Sequence, residues 1–302
     1  MGDVKKKIVG IGEILWDIFP AGKVLGGAPA NFAYHSSQFG FDGYVVSAVG
    51  TDAHGREILD TLSDKRLNHL VESVGHPSGT VQVTLDERGV PRYEICENVA
   101  WDNIPFTKQM EQLARSCSAV CFGSLAQRSE LSRTTIHRFL DFVPTDAYTI
   151  FDINLRQHYF DREVIHHSLL KSNVLKMNDD EVVTVAGLYQ MTELSEQEIC
   201  RQLMKMYDLQ IVVETKGSVG SYIFTPDESS YISTPQVKVV DTVGAGDAFT
   251  GVFVAALLAG KSLREAHRLA VDVSAYVCGQ QGAMPVIPKI LNSIHSCQVG
   301  GY

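Results

Sequence analysis

Short runs rich in Val and Ile recur at 7–12, 43–49, 118–123, 147–153, 173–177 and 210–215, each the length of one strand. Between and after them, apolar residues return with helical spacing at 28–39, 53–66, 132–142, 195–207, 246–259 and 262–278. Pro29 sits in the first turn of the 28–39 segment and Gly40 follows it, which is start and stop chemistry for a helix. This alternation predicts βαβ units and a mostly parallel central sheet in an α/β fold. One stretch breaks the rhythm. In TVQVTLDERGVPRYEI, Val81, Val83 and Leu85 alternate with polar residues, Asp86-Glu87-Arg88-Gly89 reads as a turn, and the chain returns through Tyr93 and Ile95. The run ILWDIF at 14–19 is a candidate partner for this hairpin. A small sheet of about 13–20 and 79–100 would make a lid over a cleft; an edge hairpin without a binding role fits the pattern equally well. There is no internal repeat or long polar linker, so a single domain over 1–302 is expected.

The 302 residues carry a formal charge of −9, and no basic run exceeds Lys5-Lys6-Lys7, which argues against a nucleic-acid partner. Six cysteines at 96, 117, 121, 200, 278 and 297 form no CxxC pair and read as reduced thiols. The apolar run 252–259 is too short to span a bilayer, and Gly10, Gly12 and Glu13 interrupt the N-terminal apolar stretch, which makes a poor signal peptide. These features predict a cytoplasmic protein with no membrane partner.

The strongest chemistry lies in DTVGAGDAFTG. Gly244, Ala245 and Gly246 precede a helical run, where free backbone N–H groups and the helix dipole attract an anion such as phosphate. Asp247 falls in the first turn, where the dipole favours its ionised form. It reads as a helix cap or, beside a transferring phosphoryl group, as a base for an attacking hydroxyl. Asp241, further upstream, reads as a cation ligand or a strand end.

DTVGAGDAF closely resembles the C-terminal signature of the ribokinase-like (PfkB-type) carbohydrate kinases, and further landmarks follow in family order across nearly the whole chain. The resemblance implies a three-layer α/β/α domain with a small β-sheet lid. It also implies ATP as phosphoryl donor, a sugar acceptor, Mg2+ and a monovalent cation such as K+. GGAPANFA matches the glycine motif, implying sugar contacts at Gly27 and Asn31, with Asp17 on the lid side. FDINLR matches the DxNxR segment, implying that Asp152, Asn154 and Arg156 point into the cleft, with Arg156 on phosphate or substrate. NDDE matches NxxE, implying that Asn178 and Glu181 organise Mg2+ through its waters; on residues alone the same letters read as a capped helix start. ETKGSVG resembles the nucleotide segment, implying Lys216 and Gly217, and Asp241 matches the monovalent-cation position. ENVAWDNI and CFGSLAQR are similar to fructokinase segments. The implied reaction is phosphorylation of the 6-hydroxyl of D-fructose, with Asp247 as base and Gly244, Ala245 and Gly246 in the anion hole. Ribose, 2-keto-3-deoxygluconate or a nucleoside as acceptor, and a non-catalytic sugar sensor, stand as alternatives. A homodimer through the lid is a further implication, with Ile14, Leu15, Trp16, Ile18 and Phe19 as apolar candidates.

Overall fold

Neighbouring residues on the central strands face two different cores. Ile8, Ile150, Val174 and Ile211 pack into one, whereas Val9, Phe151, Leu175 and Val212 pack into the other. Strands buried on both faces need apolar residues at every position, and this is why they read as continuous runs rather than alternations. The computed structural model describes residues 5–20, 22–85 and 91–292; the expected turn at Asp86-Glu87-Arg88-Gly89 and Cys297 lie outside these.

In chain order the strands are β1 (Lys7–Ile11), β2 (Leu15–Phe19), β3 (Gly22–Gly26), β4 (Asp42–Gly50), β5 (Asn68–Val74), β6 (Gly79–Leu85), β7 (Pro91–Ile95), β8 (Cys117–Phe122), β9 (Tyr148–Asp152), β10 (Val174–Asn178), β11 (Ile211–Thr215), β12 (Ser221–Phe224) and β13 (Ser229–Ile232). The helices are α1 (Ala28–Ser37), α2 (Ala53–Asp64), α3 (Lys108–Ala114), α4 (Glu130–Leu140), α5 (Arg162–Leu170), α6 (Asp179–Tyr189), α7 (Glu196–Tyr207), α8 (Ala245–Leu258) and α9 (Leu263–Cys278). The large sheet runs β13-β12-β11-β10-β9-β8-β1-β4-β5, parallel from β11 to β5 with an antiparallel edge of β12 and β13. Helices α8 and α9 cover one face and α3 to α7 the other, giving the three layers.

The small sheet runs β3-β2-β6-β7. ILWDIF does pair with the hairpin: β2 lies parallel to β6 from Leu15↔Gly79 to Ile18↔Gln82, and β3 adds an antiparallel edge that the sequence pattern did not suggest. The two fructokinase-like segments meet behind this sheet. Arg128 pairs with Asp102 at 2.8 Å, donates to the carbonyl of Cys96 at 2.6 Å and stacks on Trp101 and Tyr159, so it ties the end of β7 to the body. Ile14, Leu15 and Trp16 are buried in the protein's own cores, leaving Ile18 and Phe19 as the half-buried members of the expected apolar patch. Among the described residues no helix is long and apolar enough to cross a membrane.

Candidate active site

Parallel strands deliver their C-terminal ends to one edge of the sheet, and ligands of open α/β folds bind there. Here the loops after β1, β9, β10 and β11 and the start of α8 surround one cavity of about 1160 Å³, room for a nucleotide together with a small acceptor. Asp17, Gly27, Asn31, Arg156, Asn178, Gly217 and the Gly244–Asp247 stretch all line it, so motifs spread over some 230 residues of chain converge on one space.

The α8 start is built on a backbone turn. Gly244 is its N-cap with φ 77°, and a Cβ there would stand 2.6 Å from that of Ala283, so only glycine fits. The Ala245 N–H is taken by the carbonyl of Thr242 at 3.3 Å, whereas among the described residues the amides of Gly246 and Asp247 have no acceptor. Two free donors at a helix N-terminus are suited to hold an anion. Beneath them lies Lys176, absent from the sequence reading: its Nζ comes within 3.2 Å of where a Cβ on Gly246 would be. Lys176 is 7% exposed and pairs with Asp152 at 3.0 Å. Burial works against its ammonium, but Asp152, Glu181 and Asp247 outweigh it and hold the pKa above the ordinary lysine value. Asp152 also accepts from Thr250 at 3.2 Å. It therefore holds Lys176 behind the anion site and does not line the cleft, as the DxNxR resemblance had implied.

Asp247 accepts a 2.8 Å bond from Asn31 Nδ2 through Oδ2, which leaves Oδ1 without a protein donor among the described residues. Its pKa is pushed up to about 6, first by burial and then by Asp152, against the pull of Asn31, Lys176 and Arg156. This corrects the expectation that the helix dipole would favour ionisation, because desolvation wins. At neutral pH the group is still mostly a carboxylate. Asn31 is set by Gly27, the N-cap of α1 with φ 118°, where a Cβ would lie 2.5 Å from the carbonyl of Glu13. Asp17 faces the same end of the cavity, its pKa raised by burial to about 6 despite Arg156.

On the opposite wall, Asn178 caps α6 in a capping box with Glu181, as the bare residues suggested: the Glu181 N–H reaches Asn178 Oδ1 at 2.8 Å and the Asn178 N–H reaches Glu181 Oε2 at 2.7 Å. Glu181 Oε1 takes the Leu155 N–H at 2.9 Å, bracing the loop that carries Asn154, at φ 41°, and Arg156. Asn178, Asp179 and Asp180 line the cavity, whereas Glu181 is buried behind them. Each Glu181 oxygen accepts one amide and keeps a lone pair, so water-mediated contact with a hydrated Mg2+ fits this donor set. Among the described residues no cluster of three His, Cys, Asp or Glu side chains forms a direct metal site. Lys216 turns to Glu196 and to buried Glu214, whereas its neighbours Thr215 and Gly217 line the cavity. Asp241 does not line it either; its carboxylate accepts the amides of Val243 at 3.0 Å and Gly282 at 3.2 Å, pinning the turn before α8 to the C-terminal loop.

The family model for pfkB family carbohydrate kinases matches residues 19–290. The chain belongs to the PfkB carbohydrate kinase family. It is an ATP-dependent sugar kinase, and its relatives agree along nearly the full length. An ATP-dependent 6-phosphofructokinase from Thermoanaerobacterium thermosaccharolyticum is 27% identical over 95% of this chain and 92% of its own. A fructokinase from Salmonella typhimurium is 26% identical over 93% of this chain and 96% of its own. Among solved structures, a Xylella fastidiosa fructokinase with bound ATP superposes with a TM-score of 0.84 at 19% identity, covering 96% of this chain and 98% of that one. A Vibrio cholerae fructokinase double mutant with fructose, ADP and potassium ion bound gives 0.80 at 23% identity, covering 97% and 99%. The family motifs thus converge on one cavity that gathers two free helix-start amides and several carboxyls.

Proposed function

We propose that this kinase transfers the γ-phosphoryl group of ATP to the 6-hydroxyl of D-fructose. The observation that carries the reading is the Asp247 carboxylate, set beside two free amides and oriented by Asn31 in a cavity that Glu13 and Asp17 also line on that side. A fructose 6-hydroxyl donates to Asp247, its oxygen forms a bond to the γ-phosphorus, and the bond from that phosphorus to the β-bridging oxygen breaks in line. ADP leaves, and the hydroxyl proton passes to Asp247. An alcohol is a far weaker acid than any carboxyl, so proton transfer comes late, as the new P–O bond forms. The amides of Gly246 and Asp247 and the Lys176 ammonium face the charge on the transferring group, and the pre-oriented donors need no reorganisation. Mg2+, held through water by Asn178 and Glu181, would neutralise phosphate charge when bound, and a monovalent cation near Asp241 would stiffen the turn before α8. The small sheet would act as a lid that excludes water as a competing acceptor.

Relatives named fructokinase support fructose, while the relative named 6-phosphofructokinase makes fructose 6-phosphate the competing acceptor. At the acceptor end the carboxyls of Glu13 and Asp17 outnumber the guanidinium of Arg156, which favours the uncharged sugar over a phosphate dianion. A coupled ADP-release assay over fructose, fructose 6-phosphate, ribose, 2-keto-3-deoxygluconate and a nucleoside tests this. Fructose should give the highest kcat/KM; a tenfold preference for any other acceptor sinks the assignment.

A further inference from the structure

Two hydrogen-bond acceptors at the acceptor end of the cavity have no donor in the protein. Glu13 Oε2 and Asn31 Oδ1 are both shielded from water and unpartnered among the described residues. Glu13 is 3% exposed and lines the cavity in the turn between β1 and β2, directly under Gly27. Its own amide and that of Ala28 in α1 favour its charged form, Arg156 from the loop after β9 attracts it, and Asp247 from α8 repels it. Buried acceptors are normally paired, so an unpaired oxygen lining a cavity calls for a donor that arrives with the ligand. Sugar hydroxyls are such donors, whereas a phosphate dianion brings only acceptors and like charge.

We propose that Glu13 is a specificity-determining residue of the acceptor subsite: its Oε2 accepts a hydrogen bond from a hydroxyl of an uncharged sugar and so disfavours phosphorylated ones. The proposal rests on the fructose reading above. It gives a use to a residue that the sequence presents only as a polar break in an apolar stretch.

Glu13→Gln keeps the side-chain volume and one oxygen for the Ala28 amide, but replaces the acceptor with a donor. The expected result is a rise of about tenfold or more in KM for fructose, with KM for ATP unchanged and kcat within about threefold, and a fall in the fructose to fructose 6-phosphate selectivity ratio. A pH series adds a second readout. Burial raises the Glu13 pKa to about 7 and those of Asp17 on β2 and Asp247 on α8 to about 6. Hydroxyl donors favour the ionised carboxyls, so fructose KM in the wild type should rise as pH falls, first near 7 and again near 6. Glu13→Gln should lose the first step and keep the second. A folded variant with wild-type fructose KM and both steps overturns the proposal. If the variant does not fold, calorimetry on the wild type decides: fructose binding at pH 7, where Asp17 and Asp247 are already mostly ionised, should release protons, and binding without release overturns the proposal. A wild type that phosphorylates no sugar refutes the fructose reading and takes this proposal with it; a variant indistinguishable from the wild type removes Glu13 alone.

Discussion

Replacing Asp247 with asparagine should cripple the enzyme and stabilise it at the same time. The carboxylate faces the cavity yet is ringed by protein, and its pKa stands near 6 against an ordinary 3.8. In a dry site that gap corresponds to about 3 kcal/mol of cost for the ionised form; cavity water reduces it to about 1–2 kcal/mol. A group whose folded pKa is raised pays this cost in full above the folded value, and the cost fades as pH falls through about 6 toward 3.8. Asparagine has no charge to bury, and its oxygen can still accept from Asn31 Nδ2. Asp247→Asn should therefore resist urea better than the wild type by about 1–2 kcal/mol at pH 8, with the advantage vanishing at about pH 3. In parallel kcat should fall by about 10²–10⁴, the usual contribution of a positioned base, while ATP binding persists. Paired urea titrations at the two pH values, with initial-rate assays, read both effects. A variant less stable than the wild type at pH 8, or one retaining more than a tenth of kcat, refutes the reasoning.

In the wild type, kcat should rise with pH through about 6 as Asp247 ionises, and a profile flat from pH 5 to 8 would contradict that pKa. Lys176→Met leaves Asp152 buried without its cation and should cost about 3–5 kcal/mol by chemical denaturation, together with a loss of kcat greater than any change in fructose KM. Gly244→Ala forces a Cβ against Ala283 at a left-handed backbone position, so turnover should drop by about tenfold or more, with a lowered melting temperature. Lys216→Ala, by contrast, should leave KM for ATP within about twofold, because its side chain serves Glu196 and Glu214; a tenfold rise would restore it to the nucleotide site.

The inner parallel strands were legible because burial on both faces writes an apolar residue at every position, as at Ile150 and Phe151. Helix starts were legible through Pro29 and the NDDE cap, and other helices begin likewise: Asp52 takes the Gly55 N–H at 2.8 Å, and Ser195 and Ser262 each form capping boxes. Edge strands β5 and β13 escaped because their residues are largely half-exposed or exposed and mix polar with apolar types. At the site, the glycine signature marks the start of α8, but which of its amides stay free depends on the Thr242 carbonyl capturing Ala245, which no spacing encodes. Lys176 was hidden inside the run VLKMN, where a lysine reads as a solvent-facing position until Asp152 on the adjacent strand supplies its partner. For Lys216, the resemblance of ETKGSVG to a nucleotide segment implied a nucleotide contact, whereas in the fold its side chain bonds Glu196 and Glu214.

The most direct test of the account is the position of the transferred phosphate. Carbon-labelled fructose incubated with ATP, Mg2+ and the enzyme, and followed by 13C and 31P NMR, should yield fructose 6-phosphate and ADP in equal amounts, with no product from Asp247→Asn on the same timescale. Phosphate on the 1-hydroxyl, turnover of fructose 6-phosphate in place of fructose, or full product from the Asp247 variant would contradict it.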